Sequence, residues 1–237
     1  MIMMPKVSII IPTYNHKRYI RESVGSALSQ TYPNIEVLVV DDGSTDQTLA
    51  VLVENAYLPR INYIYKPNGG TSSALNTGIA RATGKYISWL SADDVFRPEK
   101  ITRQVAKMES EPSLGLIYSS FAAIDGLGKI QYEVHSQYYE DKKEMVIKLA
   151  EGCFINGSTV MMRKSALDKV GKFDETLPQA HDHDLWFRFI HDYPIGFQDE
   201  ILIEYRWHGE NMSQHPDKAS EERVKIRAKK LFPEWLG

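Results

Sequence analysis

Short apolar runs alternate with stretches of helical periodicity through the first 110 or so residues of the chain. Val7-Ser8-Ile9-Ile10-Ile11-Pro12 reads as a strand stopped by proline, and Asn15 as the cap of a helix with Ile20, Val24, Ala27 and Leu28 on one face. Ile35 to Val40 is a second run, followed by a capping-box pair, Ser44 and Gln47, ahead of Leu49, Leu52 and Val53. Ile61 to Tyr65 predicts a third strand. The spacing then predicts a helix from about Ser72 to Ala82, ended by Gly84. Tyr86 to Leu90 gives a fourth strand, and Pro98 suits the first residue of a helix with Ile101, Val105 and Met108 turned inward. Strands alternating with helices in this way predict a parallel, doubly wound α/β sheet.

The second half is less regular. Strands are expected at Leu116–Ile124, Ser158–Arg163 and Ile201–Tyr205, a turn at Gly126-Leu127-Gly128, and helices at Asp141–Glu151 and Asp182–Tyr193. With no repeat, low-complexity stretch or clear linker, one domain over residues 1–215 is expected: a first half to about residue 110, a mixed-sheet half over 111–215, and a basic helical tail over 216–237. That tail carries Lys218, Arg223, Lys225, Arg227, Lys229 and Lys230 among Val224, Ile226, Leu231, Phe232 and Trp235. Such a helix can lie on an anionic membrane or pack on its own domain.

Composition narrows the function classes. The 237 residues are 43% hydrophobic and 25% charged, ordinary globular values. A net charge of −3 argues against a general nucleic-acid binder. Cys153 is the single cysteine, so an internal disulfide or a cysteine-rich zinc site is excluded and a reducing compartment is the default. No apolar stretch approaches the roughly 18–20 residues of a membrane span. The start, Met1 to Lys6, lacks a signal-peptide layout. A soluble cytoplasmic protein is expected.

The chemistry concentrates in acidic pairs. Asp41-Asp42 and Asp93-Asp94 each close an apolar strand. In open parallel sheets ligands bind beyond the carboxyl ends of strands, and carboxylates are rarely buried there unless paired or metal-bound. Two such pairs on one edge suggest a metal and a nucleotide diphosphate held together. Strand alternation splays Asp93 and Asp94, so one can hold a metal while the other meets a ribose hydroxyl. A helix-dipole role for Asp41, Asp42 and Asp46, and a capped turn for Asp93-Asp94, are the plain alternatives. Gly69-Gly70-Thr71-Ser72-Ser73 precedes a helix and could face phosphates, but matches neither common phosphate-loop pattern. In His181-Asp182-His183-Asp184 one acid could be a base and the other a first-turn acid. His208, after the last strand, could reach the same edge.

Together these segments form a pattern. Val7 to Pro12 with Thr13-Tyr14-Asn15, Val39-Val40-Asp41-Asp42-Gly43-Ser44-Thr45-Asp46, Ser91-Ala92-Asp93-Asp94, Gly171-Lys172-Phe173-Asp174-Glu175, His181 to Trp186 and Tyr205-Arg206-Trp207-His208 resemble the family 2 glycosyltransferases of the GT-A fold, over about residues 5 to 215. The resemblance implies a Rossmann-like GT-A fold and an inverting, hexosyltransferase-type reaction with a nucleotide-diphospho-sugar donor, a UDP-linked one, and Mn2+ or Mg2+. Carried over, Pro12 and Tyr14 line the base, Asp42 accepts from it, Asp93 meets the ribose, Asp94 ligates the metal, and Asp182 is the general base. His208 joins Asp94 as a metal-ligand candidate. The family often has Glu-Asp where this chain has His181-Asp182, so the flanking acid is missing. It also lacks the arginine often found in the helix after the third strand, here Ala74-Leu75-Asn76; Arg206 is a candidate substitute on the nucleotide.

The processive pattern Gln-x-x-Arg-Trp is absent, which implies single-sugar transfer to a carbohydrate or lipid-linked acceptor in cell-surface polysaccharide or glycan synthesis. Direct displacement needs a base on the acceptor hydroxyl and charge neutralisation at the departing diphosphate. A non-catalytic nucleotide-sugar-binding module could dispense with Asp94 or Asp182. A sugar-phosphate nucleotidyltransferase would carry a Gly- and Arg-rich loop where Pro12 to Asn15 stand. A glycosidase would need two carboxylates but no nucleotide pocket.

Overall fold

The computed structural model describes residues 4–209, 211 and 216–237. Its strands are β1 (Val7–Thr13), β2 (Ile35–Asp41), β3 (Asn62–Tyr65), β4 (Tyr86–Trp89), β5 (Val95–Phe96), β6 (Leu116–Ile124), β7 (Ile130–Val134), β8 (Met161–Arg163) and β9 (Ile195–Arg206). Its helices are α1 (Ile20–Leu28), α2 (Thr48–Glu54), α3 (Thr71–Arg81), α4 (Lys100–Ser110), α5 (Lys142–Glu151), α6 (Lys164–Val170), α7 (His181–Asp192), α8 (Lys218–Leu231) and α9 (Pro233–Leu236).

One sheet runs in the order β3-β2-β1-β4-β8-β6-β9-β5, with β7 on β6. β3, β2, β1 and β4 are mutually parallel. β8 is antiparallel to both β4 and β6, and β9 is parallel to β6, so the second half of the sheet is mixed as expected. Side chains alternate across a strand. Ile9 and Ile11 of β1, with Val37 and Val39 of β2, join the core beneath α1 and α4. Ile10, Leu38, Val40 and Trp89 join the opposite core with α3, α5, α6 and α7. Both faces are covered, which is why these strands read as nearly unbroken apolar runs.

Several local expectations change. Asn15 caps no helix, because α1 begins five residues later; it lies at φ +57° and its Oδ1 accepts the amides of Thr45 and Asp46. Ser44 and Gln47 form no capping box; instead Asp46 accepts the Thr48 amide at 2.9 Å. Pro98 sits two residues ahead of α4. Only the end of Ser158–Arg163 is strand, since Gly157–Thr159 forms a 3-10 turn. The last strand starts at Ile195 rather than Ile201, and β5, β7 and α6 were not anticipated. The tail packs as a helix: Val224 and Ala228 of α8 are fully buried in the α7 core, and Arg227 bridges Asp174 and Asp184. Among the described residues no helix is long and apolar enough to cross a membrane.

Candidate active site

The carboxyl ends of β2, β1 and β4 stand side by side, and their loops form the site. The β1 and β2 loops are stapled together. Asn15 Oδ1 accepts Thr45 N at 2.8 Å, Asn15 N donates to Ser44 Oγ at 3.0 Å, and Lys17 N donates to Asp46 at 3.0 Å. Gly43, at φ +83°, permits the turn; a Cβ there would meet Asn68 N at 2.9 Å. Pro12 is buried in β1 and Tyr14 is 45% exposed above this ledge.

Within the first acidic pair the roles divide. Asp41 is structural: its carboxylate accepts Ser44 N at 2.8 Å and the Tyr63 hydroxyl at 2.6 Å. Asp42 pairs with Lys66 Nζ at 2.5 Å and accepts Gly69 N at 3.1 Å and Gly70 N at 2.7 Å. It therefore ties the β3–α3 loop, including the Gly69-Gly70 bend, to the end of β2. Lys66 was not singled out in the sequence.

The second pair is built differently. Asp94 is 1% exposed; Ser158 Oγ donates to Oδ2 at 2.5 Å and Arg206 N to Oδ1 at 2.9 Å. Burial, with the Asp93 charge beside it, pushes the Asp94 carboxyl well above the usual range, against the pull of Ser158 and Arg206. Burial also pushes Asp93 up, but the His208 hydrogen bond and the charges of His16 and His208 outweigh it, so Asp93 sits below the usual range. His208 Nε2 donates to Asp93 Oδ2 at 2.9 Å, and its ring stacks on Tyr19 with centroids 5.0 Å apart.

Arg206 is the hub of this cluster. Its side chain is 1% exposed; Nε donates to the Asp93 carbonyl at 2.7 Å, the terminal nitrogens reach Glu22 and the Asp125 carbonyl, and the guanidinium lies over Tyr19. All three of its nitrogens face protein. It positions the Asp93-Asp94 turn, and the phosphate contact considered for it is not what this environment favours.

A metal's donor set can be tested on these residues. His208 Nδ1 is buried and without a partner among the described residues; in the neutral ring, with Nε2 donating to Asp93, it would offer a lone pair. Asp94 is a buried carboxyl with no cationic side chain in hydrogen-bond contact with it among the described residues. Both features fit a divalent cation. No group of three or more His, Cys, Asp or Glu among the described residues converges as a ready-made site, so the remaining ligands would come from diphosphate and water, the usual habit of magnesium.

The fourth wall is the start of α7, where Ala180, at φ +55°, turns the chain into the helix. A left-handed non-glycine residue costs about 1–2 kcal/mol, a strain found mostly where geometry is over-determined. Asp184 is buried and bound by Arg188 at 2.8 Å and Arg227 at 3.1 Å. Asp182 is half-buried and accepts its neighbour His183 N at 2.8 Å. Asp182 is thus the acid of this motif left available for chemistry. The His181 ring lies 5.9 Å from Trp89, at the end of β4, which brings the helix start to the strand that leads into Asp93-Asp94.

The fold is of GT-A type. The chain belongs to glycosyl transferase family 2, whose sequence model matches residues 8–171. It is 42% identical over 207 residues to an uncharacterized glycosyltransferase of Rickettsia prowazekii (strain Madrid E), covering 86% of this chain and 64% of that relative's length. Residues 1–349 of S. aureus TarS in complex with UDP-GlcNAc superpose with a TM-score of 0.78 at 24% identity, over 96% of this chain and 66% of that one. The mannosyltransferase PcManGT from Pyrobaculum calidifontis, in complex with GDP-Man and Mn2+, gives a TM-score of 0.66 at 18% identity, over 98% and 73%. At these identities the likeness shows the shared fold.

Proposed function

We propose that the protein is a metal-dependent, inverting glycosyltransferase that moves one hexose from a uridine diphospho-sugar to an acceptor hydroxyl in cell-surface polysaccharide or glycan synthesis. The observation that carries the reading is Asp94: a buried carboxyl just beyond a strand end, beside another carboxylate, with no cationic side chain hydrogen-bonded to it among the described residues. A divalent metal would supply the missing positive charge and act as a Lewis acid on the departing diphosphate. Asp94 and the Nδ1 of His208 would hold it. Asp93 is oriented for the ribose by His208.

Pro12, Tyr14 and the Asp42-anchored loop would form the base pocket. Both Asp42 oxygens already accept protein donors, so a uracil N3–H would join or displace the Lys66 contact. Asp182 would take the acceptor proton, while Arg206 holds the turn in register. That solved neighbours of the same fold were captured with UDP-GlcNAc or with GDP-Man and Mn2+ supports a nucleotide-sugar donor. The acceptor in this reading is a carbohydrate or a lipid-linked saccharide, reached from the cytoplasmic side. Any membrane contact of the tail would fall to its exposed Lys225, Ile226, Lys229 and Lys230.

The test is thermal stabilisation by a panel of nucleotide-sugars with and without MnCl2, since a true donor stabilises by mass action. Stabilisation by UDP-sugars that needs the metal is expected. Stabilisation independent of metal, or preference for CDP, which has no N3–H, would overturn the assignment.

A further inference from the structure

Three buried nitrogens near the end of β4 have no hydrogen-bond partner among the described residues: Trp89 Nε1 and both ring nitrogens of His181. Trp89 is 6% exposed and His181 is 5% exposed. Buried polar atoms in native proteins are overwhelmingly paired, so three orphans on two adjacent side chains call for an explanation. The rings lie together, Trp89 5.9 Å from His181 and each edge-on to Phe173, at 5.8 and 5.7 Å. On the other side the backbone presses against the indole, where a Cβ on Gly157 would stand 2.3 Å from Trp89 Cζ3.

We propose that Trp89 and His181 form the pocket that reads hydroxyl groups on the sugar of the donor, an assignment that rests on the nucleotide-sugar reading above. The indole offers a donor only, and neutral imidazole offers one donor and one acceptor. Burial disfavours the charged ring of His181, which keeps that mixed character. A ligand matching two donors and one acceptor must both accept and give protons. Sugar hydroxyls do so, and a phosphate or carboxylate has no proton for the acceptor nitrogen. The aromatic walls also suit the C–H face of a pyranose.

Placement favours the donor sugar over the acceptor. Gly157, against the indole, is followed by Ser158, whose hydroxyl holds Asp94 and accepts Ser91 N at 3.0 Å. The pocket therefore adjoins the carboxylate assigned to the metal–diphosphate. Asp182, next to His181, is half-buried where His181 is buried. The His181-Asp182 pair would then divide the work, with His181 on the donor and Asp182 on the acceptor hydroxyl.

The experiment compares UDP with UDP-glucose, UDP-galactose, UDP-GlcNAc and UDP-GalNAc in the presence of MgCl2, which is diamagnetic. Indole N–H resonances are followed in the wild-type protein, which has four tryptophans. At least one UDP-sugar is expected to shift the Trp89 resonance while UDP alone leaves it in place. By calorimetry, Trp89→Phe and His181→Phe should each weaken that UDP-sugar by about 5- to 10-fold, the worth of one hydrogen bond, and leave UDP within about 2-fold. No sugar-dependent shift, equal losses for UDP and UDP-sugar, or a shift only on adding acceptor saccharide would overturn the pocket. Failure of UDP itself to bind would instead remove the nucleotide reading beneath it. The resonance readout uses unmodified protein, so it stands if a variant fails to fold.

Discussion

The two acidic pairs are alike in sequence and opposite in electrostatics. Asp42 is finished by the protein, with the Lys66 cation and two glycine amides on its oxygens. Asp94 is equally buried but receives one hydroxyl and one amide, with Asp93 for a neighbour. Two carboxylates that follow parallel strands on either side of β1 can therefore do different work. One fixes a loop, and the other is a carboxyl whose ionised form the protein alone leaves poorly compensated.

Replacing Asp94 by Asn should break this contrast most sharply. Metal-dependent transfer should fall by roughly 100- to 1,000-fold, the scale of lost Lewis-acid stabilisation, while the melting temperature without metal stays level or rises. A drop in stability as large as that of an Asp42 variant would mean the two pairs are not different in kind.

The α7 acids extend the comparison. Asp182→Asn should lower transfer by about 100-fold with little change in unfolding temperature and UDP affinity near wild type. Asp184→Asn should instead cost about 1–3 kcal/mol, since Arg188 and Arg227 lose a shared partner. If Asp184→Asn abolishes transfer in an intact fold and Asp182→Asn does not, the base has been assigned to the wrong acid.

Asp42→Asn removes the counter-charge of Lys66 and should destabilise by about 1–3 kcal/mol, or ~2–4 °C per kcal/mol for a domain of this size. UDP affinity should fall with it as the Gly69-Gly70 loop loosens, readable by denaturation and calorimetry on one sample. The smallest effect lies away from the site. At Glu36 burial raises the pKa, but hydrogen bonds from Lys6, Ser8 and Thr83 outweigh it and hold it at about 2. Its contribution is therefore present above the unfolded value near 4.5 and is lost as pH falls from there toward 2. Glu36→Gln should flatten the acid limb of the stability curve in that window and leave neutral-pH transfer unchanged.

The parallel half was legible because its signals are local. The runs at Val7, Ile35 and Tyr86 are buried on both faces, and the intervening helices carry their own periodicity. The cap assignments failed because Asn15 and Ser44 bond across two loops, a pairing that no single segment encodes. β5 is two residues long and β7 is an exposed strand on β6, too short or too polar to read. The carboxylates could be named from strand ends, but their partners could not. Lys66 is 24 positions from Asp42 and Ser158 is 64 from Asp94. For His181, the signal in the sequence is its place in the His-Asp-His-Asp run, which carries no mark of its burial against Trp89.

Arg206 ends β9, the last strand, yet it bonds residues 112 and 184 positions upstream. Order of synthesis therefore matters to this site. While the chain is being made, β1 to β4 can pair as they emerge, but the Asp93-Asp94 turn lacks its backbone donor and its guanidinium brace until β9 is complete. Closing contacts of such span is also slow in refolding. The ledge of Asn15, Ser44 and Asp42 should thus form early and the Asp93-Asp94 turn should set last, so a partly made chain holds the fold of the site before it holds the competence.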